Sequence, residues 1–420
     1  FTRLPAFTSA TITVPSTNAF FVAPTGFTGA SYTIDYNFAR DIARNASFGQ
    51  SQSWQVTPGF RAKLPGGWEF EALIDRGVTD DNSTSTLGIN NAALNAALAS
   101  KDPTAAFDPY GLYRTSSSVT AGIFNQISVN PTVGHFTGYE ARLNGPLFKM
   151  PGGTARGGVG YEGQDFTVDL GTARGNPGTA VVYTHPSRTV NSGYAELLLP
   201  IFGTKNAIPG FKKLDVDVAV RYDKYSDVGG TSNPKVGINW APTDRLTIRS
   251  SYGTAFRAPN LPQIYGNTNQ LFVQNYQNPS GGAPIVGVAK SGPNLDLKPE
   301  TATTWTFGAD VDPMPGLRLS ATFWSVDYKD QVVGLLSDLS VLTRASQYDG
   351  TGLIVQGSQA GQVVSALYNG GMAVSGAFPG GNPANVTVYV NGANFNLGVS
   401  VTRGIDFQPS YRVRTGKGTF

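Results

Sequence analysis

Catalysis needs polar side chains that converge, and few in this sequence have the types and spacing to do so. The two histidines, His135 and His185, lie far apart in the chain, and each reads as a solvated or rim histidine rather than a metal ligand. Asp75, Asp80, Asp81 and Asn82 form an acidic cluster, but their spacing misses the EF-hand calcium loop. Asp215, Asp217 and Asp223 offer carboxylates for acid and base work, although alternation along a strand explains their positions without it. No glycine-rich phosphate loop leads into a helix, and there is no nucleophile elbow or paired-histidine motif. The expectation is therefore no catalytic residue, no metal site, no cofactor and no enzymatic activity. Recognition remains. Tyr and Phe rings give large contact area, Tyr with a polar tip, and the loop candidates for ligand contact are Arg257, Tyr265, Phe272, Tyr276, Tyr110 and Tyr348, with Phe107 beside them.

The elements that must carry these residues follow from composition and period. Of the 420 residues 40% are hydrophobic and 14% charged, with 51 glycines and no cysteine. Glycine well above the usual share of about 7%, together with plentiful aromatics, suits many short strands and turns. A formal charge of +3 is too small to imply a nucleic-acid partner. The longest solidly apolar stretch, Leu197 to Phe202, falls far short of the ~18 residues of a spanning helix. Any membrane crossing must use strands.

Successive side chains of a strand point to opposite faces, so a strand between an apolar and a wet environment alternates. Trp54, Val56, Pro58, Phe60, Ala62 and Leu64 share one face, opposed by Gln55, Thr57, Arg61 and Lys63. Trp68, Phe70, Ala72 and Ile74 oppose Glu69, Glu71 and Asp75. Leu214, Val216, Val218, Val220 and Tyr222 oppose Asp215, Asp217, Arg221 and Asp223. Two more runs, 234–240 and 246–257, obey the same rule. Each run covers about 10 residues, enough for a tilted strand to cross a hydrocarbon core, with aromatics near the ends as in interfacial girdles. A soluble sandwich alternates too, but the charge of the polar face and the strand lengths decide for a membrane wall.

Further strands are expected at 137–149, 154–171, 188–201, 300–312, 317–332 and 397–414, giving an incomplete antiparallel barrel of about 11–12 strands. The phase change from Leu317, Leu319, Ala321 and Phe323 to Trp324, Val326 and Tyr328 suggests a β-bulge. Tyr32, Ile34, Tyr36 and Phe38 suggest another strand or a hairpin within a loop. Every second connection is short, as at Pro65-Gly66-Gly67 or Met150 to Gly153. Those between are mostly long, near 81–133, 173–187, 257–299 and 333–395, with a small helix expected at Asn90 to Ser100. Short turns at one rim and long, structureless loops at the other are the pattern of an outer-membrane barrel.

Arg249-Ser250-Ser251-Tyr252-Gly253-Thr254-Ala255-Phe256-Arg257-Ala258-Pro259-Asn260 and Leu297-Lys298-Pro299-Glu300-Thr301 resemble the Phe-Arg-Ala-Pro and Leu-Lys-Pro-Glu signatures of TonB-dependent outer-membrane receptors. Gly404-Ile405-Asp406-Phe407 and Leu317 to Tyr328 add to the likeness, and Ala92 to Tyr110 is similar to a loop of such receptors. The resemblance implies an all-β transmembrane barrel of about 22 strands, filled by an N-terminal plug, in the bacterial outer membrane. It implies inward transport of a scarce ligand (siderophore, cobalamin, carbohydrate or similar) with energy supplied through TonB. The implied partners are the TonB complex, reached through a missing N-terminal region, outer-membrane lipid and a small-molecule or oligomeric substrate. Arg257 is then placed where a strand passes into a long loop, either bracing that loop or touching ligand. Thr11-Ile12-Thr13-Val14 loosely resembles a TonB box, but too few residues follow it to form a plug. Residues 1–420 are therefore expected to be a partial barrel, with plug and C-terminal strands absent from this chain. The alternative is a passive porin-like or adhesin barrel; an outer-membrane hydrolase would need a catalytic constellation.

Overall fold

The computed structural model describes residues 2–4, 9–41, 47–266, 269–376, 378–416 and 418–419. One antiparallel sheet of 14 strands dominates it. β1 (Ser47–Val56) and β2 (Gly59–Leu64) lie end to end against β3 (Trp68–Gly88). Pro58, which has no N–H to give a ladder, marks the break, and its carbonyl accepts from the Ile74 amide at 3.0 Å. There follow β4 (Gln126–Met150), β5 (Gly153–Gly175), β6 (Ser187–Phe202), β7 (Lys213–Tyr225) and β8 (Gly229–Thr243). β9 (Leu246–Arg257), β10 (Glu300–Met314), β11 (Leu317–Gly334) and β12 (Asn394–Tyr411) complete the series. Each pairs with the next, while β1 also pairs with Thr2–Leu4 at the other edge. Among the described residues the two edges of the sheet do not meet.

Register explains why both faces are stable where they are. Leu197, Val218, Val236, Tyr252 and Trp305 stand opposite one another across five neighbouring strands. Among the described residues no second sheet covers that row: Val218 is 41% exposed and Ile405, on the same face, 74%. An apolar band left bare over so many strands is a surface for lipid. Three residues along, the opposite face carries Arg61, Glu71, Arg142, Gly160, Tyr194, Arg221 and Asn233 in an equally continuous row. Glu71 takes Arg61 at 2.8 Å and Arg142 at 2.9 Å. Arg221 reaches Glu162 and Asp223, each at 2.7 Å. Tyr194 lies across Gly160, where a Cβ would sit 2.2 Å from its ring, and donates to Glu140 at 2.7 Å. Glycine opposite a ring lets the aromatic lie flat against the wall, which accounts for part of the high glycine content.

Two expectations about the strands change. The β10–β11 register runs unbroken through Phe323 and Trp324, so no bulge separates them. Trp324, Val326 and Tyr328 instead belong to the inner face, and Trp324 covers Gly404. The irregularity lies further on, at Tyr328/Gln331, where Asp330 adopts φ 56°. The first long loop is also shorter than expected, because β3 and β4 extend to Gly88 and from Gln126. Asp80 and Asp81 are therefore paired strand residues, opposite Gln52 and Ser51.

The long loops are not structureless. At the rim, a hairpin of Ser9–Pro15 with Ser31–Asn37 packs on the helices Asn91–Ala99 and Ser117–Ile123. Val14, Phe38, Phe107 and Ile123 are fully buried between them. Asn90 caps the first helix by accepting from the Ala93 amide. The stretch resembling a TonB box lies in this hairpin, with Ile12 and Val14 buried in the same core. A second lobe is built from two separate loops. Gln270–Tyr276 and Ile285–Lys290 come from the β9–β10 connection, and Ile354–Gln356, Ala373–Ser375 and Val388–Asn391 from the β11–β12 connection; together they make one five-stranded sheet. The helix Ser358–Asn369 packs on it.

Candidate functional site

Where β9 ends, its chain is held at three successive points. Phe256 packs edge-on against Tyr225, ring centroids 5.5 Å apart. Arg257 faces Glu300 across the β9–β10 ladder. Pro259 gives its carbonyl to Arg188 at 2.8 Å, and the same guanidinium binds the Asp227 carboxylate at 2.7 Å and lies over the Tyr225 ring. Arg188 is almost fully buried, and it can serve two acceptors because its donors fan out in a planar fork. A hollow of about 690 Å³ opens beside this corner, lined by Phe166, Val190, Tyr225, Phe256, Leu261 and Arg221 among others.

Glu300 is the buried end of the second motif, at 2% exposure. Its carboxylate accepts from Arg257 Nη2 at 2.8 Å, the Tyr328 hydroxyl at 2.7 Å and the Val332 amide at 2.6 Å. Asn396 accepts from the Lys298 amide and donates to the Lys298 and Asp330 carbonyls. Both sequence motifs thus close onto one brace, fixing where the two long loops leave the wall.

The loop aromatics take separate places. Tyr276 and Phe107 are fully buried, so they pack lobe cores instead of offering a platform. Tyr110 hydrogen-bonds Tyr32 and the Val22 amide inside the first lobe; burial and that contact push Tyr32 up to about 12. Tyr265 closes the short helix Leu261–Tyr265. Phe272 lies on a strand of the second lobe, and Tyr348 packs against its core. His185 pairs with Asp169 at 2.7 Å, while His135 is exposed on β4.

Between the two lobes lies a cleft of about 1350 Å³. Thr13 and Thr33, directly opposite in the hairpin, Asp35, and Asn91 and Asn95, one turn apart on the helix, form one side. Val273, Asn275, Pro284, Val286 and Phe378 form the other. None of the six loop candidates lines it. Sequence reading missed the cleft because its two walls come from loops far apart in the chain; Asn91 and Asn95 at i, i+4 were the available signal.

The family profile described as TonB dependent receptor-like, beta-barrel, matches residues 6–419. This chain belongs to the TonB-dependent receptor β-barrel family. Members of the family are receptors of the bacterial outer membrane and not enzymes, and this barrel belongs to that membrane. The chain is 28% identical over 123 residues to the iron-regulated outer membrane virulence protein of Vibrio cholerae, covering 29% of this chain and 17% of that protein. It is 27% identical over 142 residues to the probable TonB-dependent siderophore receptor PirA of Acinetobacter baumannii, covering 33% and 18%. The matched stretches thus span less than a fifth of these relatives. Among solved structures, the RagAB peptide transporter superposes with a TM-score of 0.49 at 13% identity, over 90% of this chain and 36% of that one.

Proposed function

We propose that this TonB-dependent receptor barrel captures a scarce ligand at its looped rim and passes it inward with energy supplied through TonB. The observation that carries the reading is the two-faced wall: a bare apolar band outside, and inside a lining of matched ion pairs that ends at lobes built by the long loops. Residues 1–420 would then be one part of a larger barrel with a plug outside this sequence. An open sheet in a bilayer leaves edge amides and carbonyls facing lipid, which further strands must satisfy.

The test uses the full-length receptor in cells. Ligand-dependent uptake should stop when TonB is disrupted, with the receptor still present in the outer membrane. Uptake that persists unchanged would favour a passive porin-like barrel.

A further inference from the structure

We propose that the inter-lobe cleft takes an uncharged, hydroxyl-rich ligand, an oligosaccharide, and not an anionic metal chelate; this rests on the receptor reading above. In the loops 89–125, 258–299 and 335–393 the basic residues are Lys101, Arg114, Lys290, Lys298 and Arg344, and none of them lines the cleft. Arg114 and Arg344 are already matched by Asp108 and Asp338. Deeper in the wall, Arg61, Arg142, Arg188, Arg221, Arg249 and Arg257 each pair with a carboxylate. Among the described residues, the only ionisable side chain lining the cleft is Asp35, itself an acid.

A multiply charged anion loses its hydration on entering such a cleft and needs cations in return. Here it would meet a carboxylate and side-chain amides. A neutral sugar loses far less. Its hydroxyls both donate and accept, as do the amides of Asn91, Asn95 and Asn275 and the hydroxyls of Thr13 and Thr33. Among the described residues no hydrogen bond engages the side chains of those three asparagines, and all three are exposed. Phe378, Val273, Val286 and Pro284 supply apolar surface for the C–H faces of the rings. The volume, about 1350 Å³, exceeds the usual drug-sized pocket of ~300–1,000 Å³ and suits an oligomer.

The experiment is binding by the purified full-length receptor on an array of neutral gluco-, xylo-, manno- and galacto-oligosaccharides, with a ferric tris-catecholate and a hexapeptide library alongside. Retention of at least one neutral glycan is expected, insensitive to salt from low to molar ionic strength. Asn91→Ala and Asn275→Ala should each weaken it by about 3- to 10-fold, the share of one net hydrogen bond. Both sites are exposed, so folding is preserved, as an unchanged thermal transition would verify. Retention of the ferric chelate or of peptides, or of no glycan at all, overturns the proposal. TonB-dependent uptake of a ferric chelate would overturn it and leave the transport reading intact. Glycan binding without TonB-dependent uptake would overturn transport and leave the cleft chemistry standing.

Discussion

Arg257 and Glu300 face each other on neighbouring strands, 43 residues apart in sequence, and share burial unequally: the guanidinium is 61% exposed and the carboxylate 2%. Glu300→Ala strands the half-buried Tyr328 hydroxyl and Val332 amide, at a cost of about 1 kcal/mol for each, the low end of the ~1–3 kcal/mol for a fully buried donor. Once the carboxylate is gone Arg257 extends into water, so adding Arg257→Ala should cost little more. Urea titration of the full-length barrel in liposomes measures both; strictly additive losses would show that the two residues act independently.

The outer face carries its own prediction. Val218 lies mid-strand between Leu197 and Val236, and Val218→Arg in the full-length protein should cost about 2–4 kcal/mol if that position meets the bilayer midplane. A loss near zero in the same titration would remove lipid from that face.

Tyr276 is fully buried with no partner for its hydroxyl among the described residues. Burial pushes its ionisation well above the ordinary tyrosine range. Tyr276→Phe removes an unpaired polar atom and should leave the second lobe as resistant to protease as before, or more so. Faster cleavage of 335–393 would reveal a partner for that oxygen.

Burial disfavours the charge of Asp108, but the Arg114 side chain and the amides of Tyr110 and Arg114 outweigh it and hold the carboxyl below its usual range. A depressed folded value stabilises above the unfolded carboxylate range, near about pH 4, and that stabilisation fades as pH falls through the lower folded value. Pepsin digestion of 89–125 should therefore accelerate below about pH 4 in the wild type. Asp108→Asn should flatten that dependence; an unchanged profile would assign it to another group.

The wall was legible in the sequence because alternation acts locally: each residue's face follows from its neighbour's. The same logic fails where an aromatic faces inward, as Trp324 does over Gly404, since hydrophobicity alone marks it as outer. The second lobe was illegible for a different reason. Val288 pairs in parallel with Tyr389, and no local pattern in either loop announces a partner about a hundred residues away. Arg257 could be singled out by resemblance, but Glu300 becomes its partner only once the register between β9 and β10 is known.

The mixed sheet of the second lobe ties two connections into one inheritance. If either loop were exchanged for that of a relative, the strands left behind would lose their parallel partners and the core residues the other loop supplies. Viable recombinants should therefore carry both loops from the same parent, and diversification of this rim should proceed by paired replacement.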